Sequence, residues 1–173
     1  VPDVIEAAPS GRAKCRACQS KIEKGTLRYG EAVPNPFGEG EALHWYHLRC
    51  GAEKRPESFA KALAENEQEI PERGLLAKIA AVGIDHPKLS RLTRLERASS
   101  GRARCQGCHE LIEKGALRLV LERIEDGMTS GAGFVHVACC KEYAGATEGV
   151  AERMRRTSLD LSEEDFAELD RLL

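Results

Sequence analysis

The stretch SGRAKCRACQSKIEKGTLR at residues 10–28 returns as SGRARCQGCHELIEKGALR at residues 100–118, with twelve of nineteen letters unchanged. Two close copies within 173 residues divide the chain into two small units joined by other material, rather than one ordinary domain. A unit of about 45 residues buries too little apolar surface to hold itself together, and domains that small usually recruit a metal, disulfides or a second copy. Aromatics supply only 5% of the residues, which turns attention to the seven cysteines.

Each copy runs on to the same second cluster. Cys15 and Cys18 are followed by His47 and Cys50, and Cys105 and Cys108 by His136 and Cys139. The patterns are Cys-x2-Cys-x28-His-x2-Cys and Cys-x2-Cys-x27-His-x2-Cys. Two intervening residues let a tight turn aim both side chains at one ion, and three thiolates with one imidazole form a closed tetrahedral shell that suits zinc. A closed shell leaves no position for a catalytic water. Two structural Zn2+ ions and no enzymatic activity are therefore expected, with metal binding supplying much of each finger's folding free energy. The single-residue difference falls between the clusters, where a loop can vary and the donors cannot.

Two other chemistries fit the cysteine pairs less well. The run CQGCH at 105–109 matches the c-type haem attachment pattern, but its sister reads CRACQ. A redox dithiol belongs in a βαβ context, which the flanking sequence lacks. His44, His86 and His109 have no counterpart in the other copy and read as surface or packing residues. Cys140, beside the ligand Cys139, reads as a buried free thiol.

No N-terminal stretch has the order of a signal peptide, and no apolar run approaches the roughly 18 residues of a membrane span. An intracellular chain is expected, in the cytoplasm or nucleoid of a prokaryote or the nucleus of a eukaryote, with no membrane partner and no small-molecule substrate. Reduced thiols in that setting favour metal over disulfides. The net charge of −2 speaks against a polyanionic partner until its distribution is considered. Residues 10–51 hold seven basic and four acidic side chains, whereas residues 141–173 hold five basic and nine acidic. A polyanion should meet the first copy, leaving the tail to solvent or a partner.

The combination SGRAxCxxC…IEKGxLR, then a loop, then HWYHxxC resembles the zinc finger of the poly(ADP-ribose) polymerases, also found on a vertebrate DNA ligase and on some DNA end-processing enzymes. The likeness covers residues 10–50 closely and 100–139 with GFVH in place of HWYH. It does not reach the remaining segments, and nothing in the chain resembles the polymerase's catalytic domain. The resemblance implies recognition of DNA breaks by shape: one arginine before the first cysteine pair and one in the following strand hold phosphates, and apolar loop residues stack on an exposed base pair. These correspond to Arg12 and Arg28 in the first copy and Arg102 and Arg118 in the second.

The residues themselves are compatible with those roles. TLRYGEAV (26–33) and ALHWYH (42–47) read as strands around the turn-rich PNPFGEGE, leading into the His-x2-Cys turn and a helix. Arg12, Arg16, Lys21, Lys24 and Arg28 all precede the loop and form a phosphate track on the zinc-knuckle side. Alternatively, the arginines offset the negative charge of a three-thiolate site. Phe37, among Pro34, Pro36, Gly38 and Gly40, is a platform for a base, with Leu43 as the second stacking residue. Met128 takes that part in the second finger, while Phe134 stands where Trp45 stands and is expected to pack beneath the metal.

Between the fingers, Phe59, Leu63, Leu75, Leu76, Ile79 and Ala80 recur at helical spacing. A further helix is predicted after Pro87, with Leu89, Leu92 and Leu95 along one side and Arg91, Arg94 and Arg97 on another, read as an exposed charged face with phosphate contact as the alternative. In the tail, Ser162 and Asp165 form a capping box ahead of an acidic helix whose apolar stripe is Leu161, Phe166, Leu169, Leu172 and Leu173. That stripe packs on the protein's own core, or is offered to a partner such as a repair protein or to the other copy of a dimer.

The expected architecture is a small α+β chain. It comprises an extension (1–9), finger 1 (10–55), a helical spacer (56–98), finger 2 (99–145) and a helical acidic tail (146–173), each finger being a short antiparallel ribbon plus helix. The expected role is structure-specific binding of DNA nicks, gaps or ends in damage sensing or repair. The rival roles are a zinc-dependent protein-interaction adaptor and an accessory subunit of a repair enzyme.

Overall fold

The two strands read around PNPFGEGE form as β2 (Leu27–Pro34) and β3 (Glu41–His47) in the computed structural model, which describes all 173 residues. Their register sets Arg28 opposite His47 and Gly30 opposite Trp45. A third strand, β1 (Val4–Ala7), lies antiparallel on the other edge of β2, with Glu6 opposite Arg28. The ribbon is therefore a three-stranded sheet, and the segment read as an extension supplies its first strand.

Helix α1 (Leu48–Lys54) follows directly and carries Cys50. Ahead of β2, Cys15 N–H bonds to Ser20 O at 2.9 Å and Gln19 N–H to Cys15 O at 2.9 Å, closing the cysteine turn. Gln19 adopts a φ of 63° at the end of that turn. Gly25, at φ 85°, donates to Ala8 O at 2.8 Å and turns the chain into β2. A left-handed turn at this point is why IEKG is retained in both copies, since glycine enters that region at no steric cost.

The predicted helices of residues 56–85 form as α2 (Pro56–Glu65) and α3 (Arg73–Asp85). They are part of the first finger's core. Phe59 of α2 is fully buried and meets Tyr29 of β2 edge-on, with ring centroids 5.3 Å apart, and Leu63, Leu76 and Ala80 join the same cluster. Arg73 donates to Leu63 O and Asn66 O at 2.6 Å and to Gln68 O at 2.8 Å, satisfying carbonyls that the end of α2 leaves free. The chain divides into two compact units, Val1–Asp85 with Ile124–Met128 and His86–Arg123 with Thr129–Leu173. The boundary at Asp85 falls inside the stretch read as a spacer.

The helix predicted after Pro87 does not form. Pro87–Arg91 make one short 3-10 turn, and Leu92–Arg97 are a strand, β4. The order β4-β5-β6, with β5 at Leu117–Glu125 and β6 at Met128–His136, repeats the three-stranded sheet of the first unit. The helix-like spacing of Leu92 and Leu95 has a definite cause. The register shifts between Leu92 and Arg94, so Thr93 is an extra residue that lets both leucines enter the core three positions apart. The arginine stripe is paired within the unit: Arg91 donates to Tyr143 Oη at 3.2 Å, Arg94 lies 3.6 Å from Glu122, and Arg97 donates to Glu168 at 2.8 Å.

Helices α4 (Cys140–Ala144), α5 (Val150–Thr157) and α6 (Glu163–Leu172) complete the second unit. Ser162 and Asp165 form the predicted capping box. Phe166 and Leu169 are buried, while Leu172 and Leu173 remain partly exposed. Cys140 is fully buried with its thiol pushed up to about 11 by that burial, an unreactive packing residue.

Candidate metal centres

The end of β3 and the start of α1 carry His47 and Cys50, and the cysteine turn brings Cys15 and Cys18 against them. All four donor atoms lie within 4.8 Å of one another, and so do those of Cys105, Cys108, His136 and Cys139. Cys18 Sγ is 3.4 Å from His47 Nδ1, Cys108 Sγ is 3.4 Å from His136 Nδ1, and Cys139 Sγ is 3.8 Å from the same nitrogen. Tetrahedral zinc with bonds of about 2.0–2.3 Å sets its donors about 3.5–3.8 Å apart. Nδ1 is thus the ligating atom of both histidines. The other nitrogen of His47, Nε2, stands 3.3 Å from Lys21 O, a partner that fixes tautomer and ring orientation.

The local electrostatics favour a divalent cation. Hydrogen bonds to Cys15 and then Cys18 raise His47 to about 10, and the same two sulfurs push Cys50 up while Cys15 and Cys50 pull Cys18 down. So many sulfurs in one place need positive charge among them. In the second cluster burial opposes ionisation of Cys105, but backbone N–H groups of Cys108, His136 and Gly107 outweigh it and bring the thiol to about 7. Two of those contacts, from Gly107 and His136, measure 3.3 Å. A bound Zn2+ would be held by four protein donors in each unit, giving a structural rather than a catalytic centre. His109 is not among them. It occupies the same left-handed position in its turn, φ 66°, as Gln19 does in the first, which leaves CQGCH as a zinc turn.

Beside each metal cluster stands an arginine laid on an aromatic ring. Arg28 Cζ lies 3.4 Å from the centroid of Trp45, and Arg118 Cζ 3.6 Å from that of Phe134. Phe134, expected beneath the metal, thus serves as the arginine's platform. Both arginines are buried and ion-paired, Arg28 to Glu6 at 2.7 Å and Arg118 to Glu96 at 2.7 Å. Arg12 and Arg102 are exposed. Arg16 is exposed too, and donates to Gly127 O at 3.1 Å within its unit. Phe37 is 95% exposed and Met128 64%, whereas Leu43 is only half-exposed on β3. Glu6 and Glu96 were legible in principle, because an offset of 90 residues extends the repeat upstream to pair Glu6 with Glu96 and Ala8 with Ala98.

Gly30 fits the first of these stacks in a testable way. A Cβ there would lie 2.6 Å from the Trp45 ring. In the second unit the same offset places Val120, and the smaller Phe134 replaces the tryptophan. Gly30→Val should cost about 1–3 kcal/mol by overpacking and move Trp45 off Arg28, seen as a lower melting temperature and altered tryptophan emission. Adding Trp45→Phe should recover most of the loss.

Residues 6–79 match the family described as "Poly(ADP-ribose) polymerase and DNA-Ligase Zn-finger region". The chain carries PARP-type zinc fingers. Its relatives include poly [ADP-ribose] polymerase of Sarcophaga peregrina, 31% identical over 166 residues that cover 84% of this chain and 17% of that protein. Poly [ADP-ribose] polymerase 1 of Gallus gallus is 31% identical over 133 residues, covering 68% of this chain and 13% of that protein. The rice protein of the same name is 28% identical over 176 residues, covering 92% and 17%. The chain thus matches only 13–17% of the length of these relatives, and the matched family region is the first PARP-type finger with the helices that finish its core. The second unit repeats that finger's donors, its arginine stack and its three-stranded sheet. No helix is long and apolar enough to cross a membrane.

Proposed function

We propose that the chain binds duplex DNA at nicks, gaps or ends, as a damage-recognition module that performs no chemistry at its metal centres. The observation that carries this reading is Phe37. A ring 95% exposed costs a folded protein apolar surface in water, and here it stands on a loop held by Asn35, whose Oδ1 accepts from Phe37 N–H at 3.0 Å and whose N–H bonds to Gly40 O at 3.0 Å. An exposed ring on a loop braced in this way suits a base pair stripped of its neighbour, which is what a break exposes and intact duplex does not.

In this reading Arg12, Arg16 and Arg28 of the first unit and Arg102 of the second contact backbone phosphates, and Arg118 is a further phosphate ligand of the second unit once Glu96 releases it. Phe37 and Leu43 stack on the exposed pair, and Met128 plays that part for the second finger. Recognition is of shape, since stacking is nearly blind to base identity. The two zincs hold the arginines and loops in place, and the setting would be DNA repair in a nucleus or nucleoid. Of the apolar face of the C-terminal helix, Phe166 and Leu169 are buried in its own unit, which leaves Leu172 and Leu173 as the part open to a repair protein.

Two substitutions test the division of labour. Phe37→Ala should weaken binding to nicked duplex by roughly 1–3 kcal/mol and leave binding to intact duplex unchanged. Arg12→Ala should weaken both and flatten the dependence of log K on log salt by about one unit. Equal losses on nicked and intact duplex for Phe37→Ala would remove the stacking role.

A further inference from the structure

The two arginine stacks are alike in sequence and unlike in how their guanidinium groups are satisfied. Arg118 gives both Nε and Nη2 to Glu96, at 2.9 and 2.7 Å, and Glu96 is also approached by Arg94 at 3.5 Å. Arg28 gives Glu6 only Nη2, at 2.7 Å, and its buried Nε has no hydrogen-bond partner. The Glu6 side chain is 42% exposed against 28% for Glu96.

A guanidinium fork matches the paired oxygens of a carboxylate or a phosphate, and a buried N–H left unmade is costly. Glu6 accepts from only one of the two N–H donors, Nε and Nη2, on this edge of Arg28. It sits on β1, where its carboxylate can withdraw into water with little loss of solvation. An incoming phosphate oxyanion reaching both Nε and Nη2 would satisfy the group that Glu6 leaves open. Glu96 makes both contacts already and is tethered by a second arginine, so the same exchange in the second unit must break a complete pair.

We propose that Glu6 and Glu96 are internal anions seated where a phosphate binds, the first displaceable and the second latched, so that Arg28 engages DNA readily while Arg118 is held in reserve. This rests on the DNA-binding reading for its biological ligand, but not for its chemistry. Glu6 and Glu96 are thus positioning residues that set how readily each finger accepts an anion.

Trp45 is the chain's single tryptophan and lies against Arg28, so its emission reports on that seat directly. The zinc-loaded full chain is titrated with inorganic phosphate, with sodium chloride at matched ionic strength as the comparison. A phosphate-specific change is expected in the wild type. Glu6→Gln should respond at about tenfold lower phosphate because the competing carboxylate is gone, while the exposed Glu23→Gln should shift by less than about twofold, the general effect of one removed surface charge. On nicked duplex, Glu96→Gln should steepen the salt dependence by about 0.9, one added phosphate contact, whereas Glu6→Gln should tighten binding with the slope unchanged.

A wild-type emission that treats phosphate and chloride alike overturns the proposal, and this measurement needs no variant to fold. So does a Glu6→Gln chain whose melting temperature falls while its phosphate response stays put, which would make the pair purely structural. An unchanged slope for Glu96→Gln overturns the latch. A phosphate response without any duplex binding would sink the DNA reading and leave this seat standing, and duplex binding without a phosphate response would do the reverse.

Discussion

His47→Ala should lower the zinc content from two ions per chain to one and abolish the folding of the first unit, while the second keeps its ion. The expectation follows from where the donors sit. Cys15 and Cys50 are buried members of the first unit's core, in one cluster with Ile22, Tyr29 and Tyr46, so the ion and the apolar side chains share one packing arrangement. Structural zinc in finger peptides contributes an apparent ~10–16 kcal/mol near neutral pH, and whole domains of this size are stable by only about 5–15 kcal/mol. Even a fraction of the first figure removes most of the second. Without the imidazole, three thiolates are left crowded together with one position open, and their repulsion adds to the loss. Metal analysis together with circular dichroism during heating would show one of two transitions gone. A variant that retained both zincs, or lost one and melted as before, would mean that the core of the first unit stands without its metal.

Phe59→Ala should destabilise the first unit by about 3–5 kcal/mol, the cost of emptying a large buried aromatic site. Phe59 is far from the metal in sequence and belongs to the stretch that reads as a spacer, yet its ring is fully buried and edge-on to Tyr29. Tyr29 is anchored in turn, its hydroxyl donating to Asp3 at 2.7 Å, and the ring cannot easily shift to fill the gap. Denaturant unfolding of the zinc-loaded chain should therefore place this variant among core substitutions. Zinc affinity of the first unit should fall with it, because binding and folding are linked. A change within about 0.5 kcal/mol, the range of surface substitutions, would show that α2 is a detachable linker and that the finger ends near Arg55.

Much of the site is legible in the amino-acid sequence. The repeated Cys-x2-Cys and His-x2-Cys clusters fix eight ligands, because two-residue spacing has few uses that need a histidine at the same place twice. The strands flanking PNPFGEGE and the capping box at Ser162 follow from local chemistry alone, in which turn residues and caps act over a few positions. Features set by tertiary context are not legible in this way. Leu92 and Leu95 sit three apart because Thr93 bulges out of register, and a bulge imitates helical spacing in any short window. β1 is four residues long, too short to show alternation, and becomes a strand by pairing with β2. The burial of Arg28 and Arg118 is hidden for a similar reason: an arginine in a strand reads as exposed until an aromatic ring and an acid are found across the sheet from it. The substitution of Val120 for Gly30 alongside Phe134 for Trp45 is visible in the repeat, but acquires meaning only when the register places those residues face to face.

The most direct test compares, at one fixed salt concentration, binding of the zinc-loaded chain to a nicked or gapped duplex and to a covalently closed duplex of the same sequence. Clearly tighter binding to the interrupted DNA, lost after zinc removal, is the expected result. Equal affinity for both, or binding that survives without metal, would contradict recognition of breaks by zinc-organised fingers.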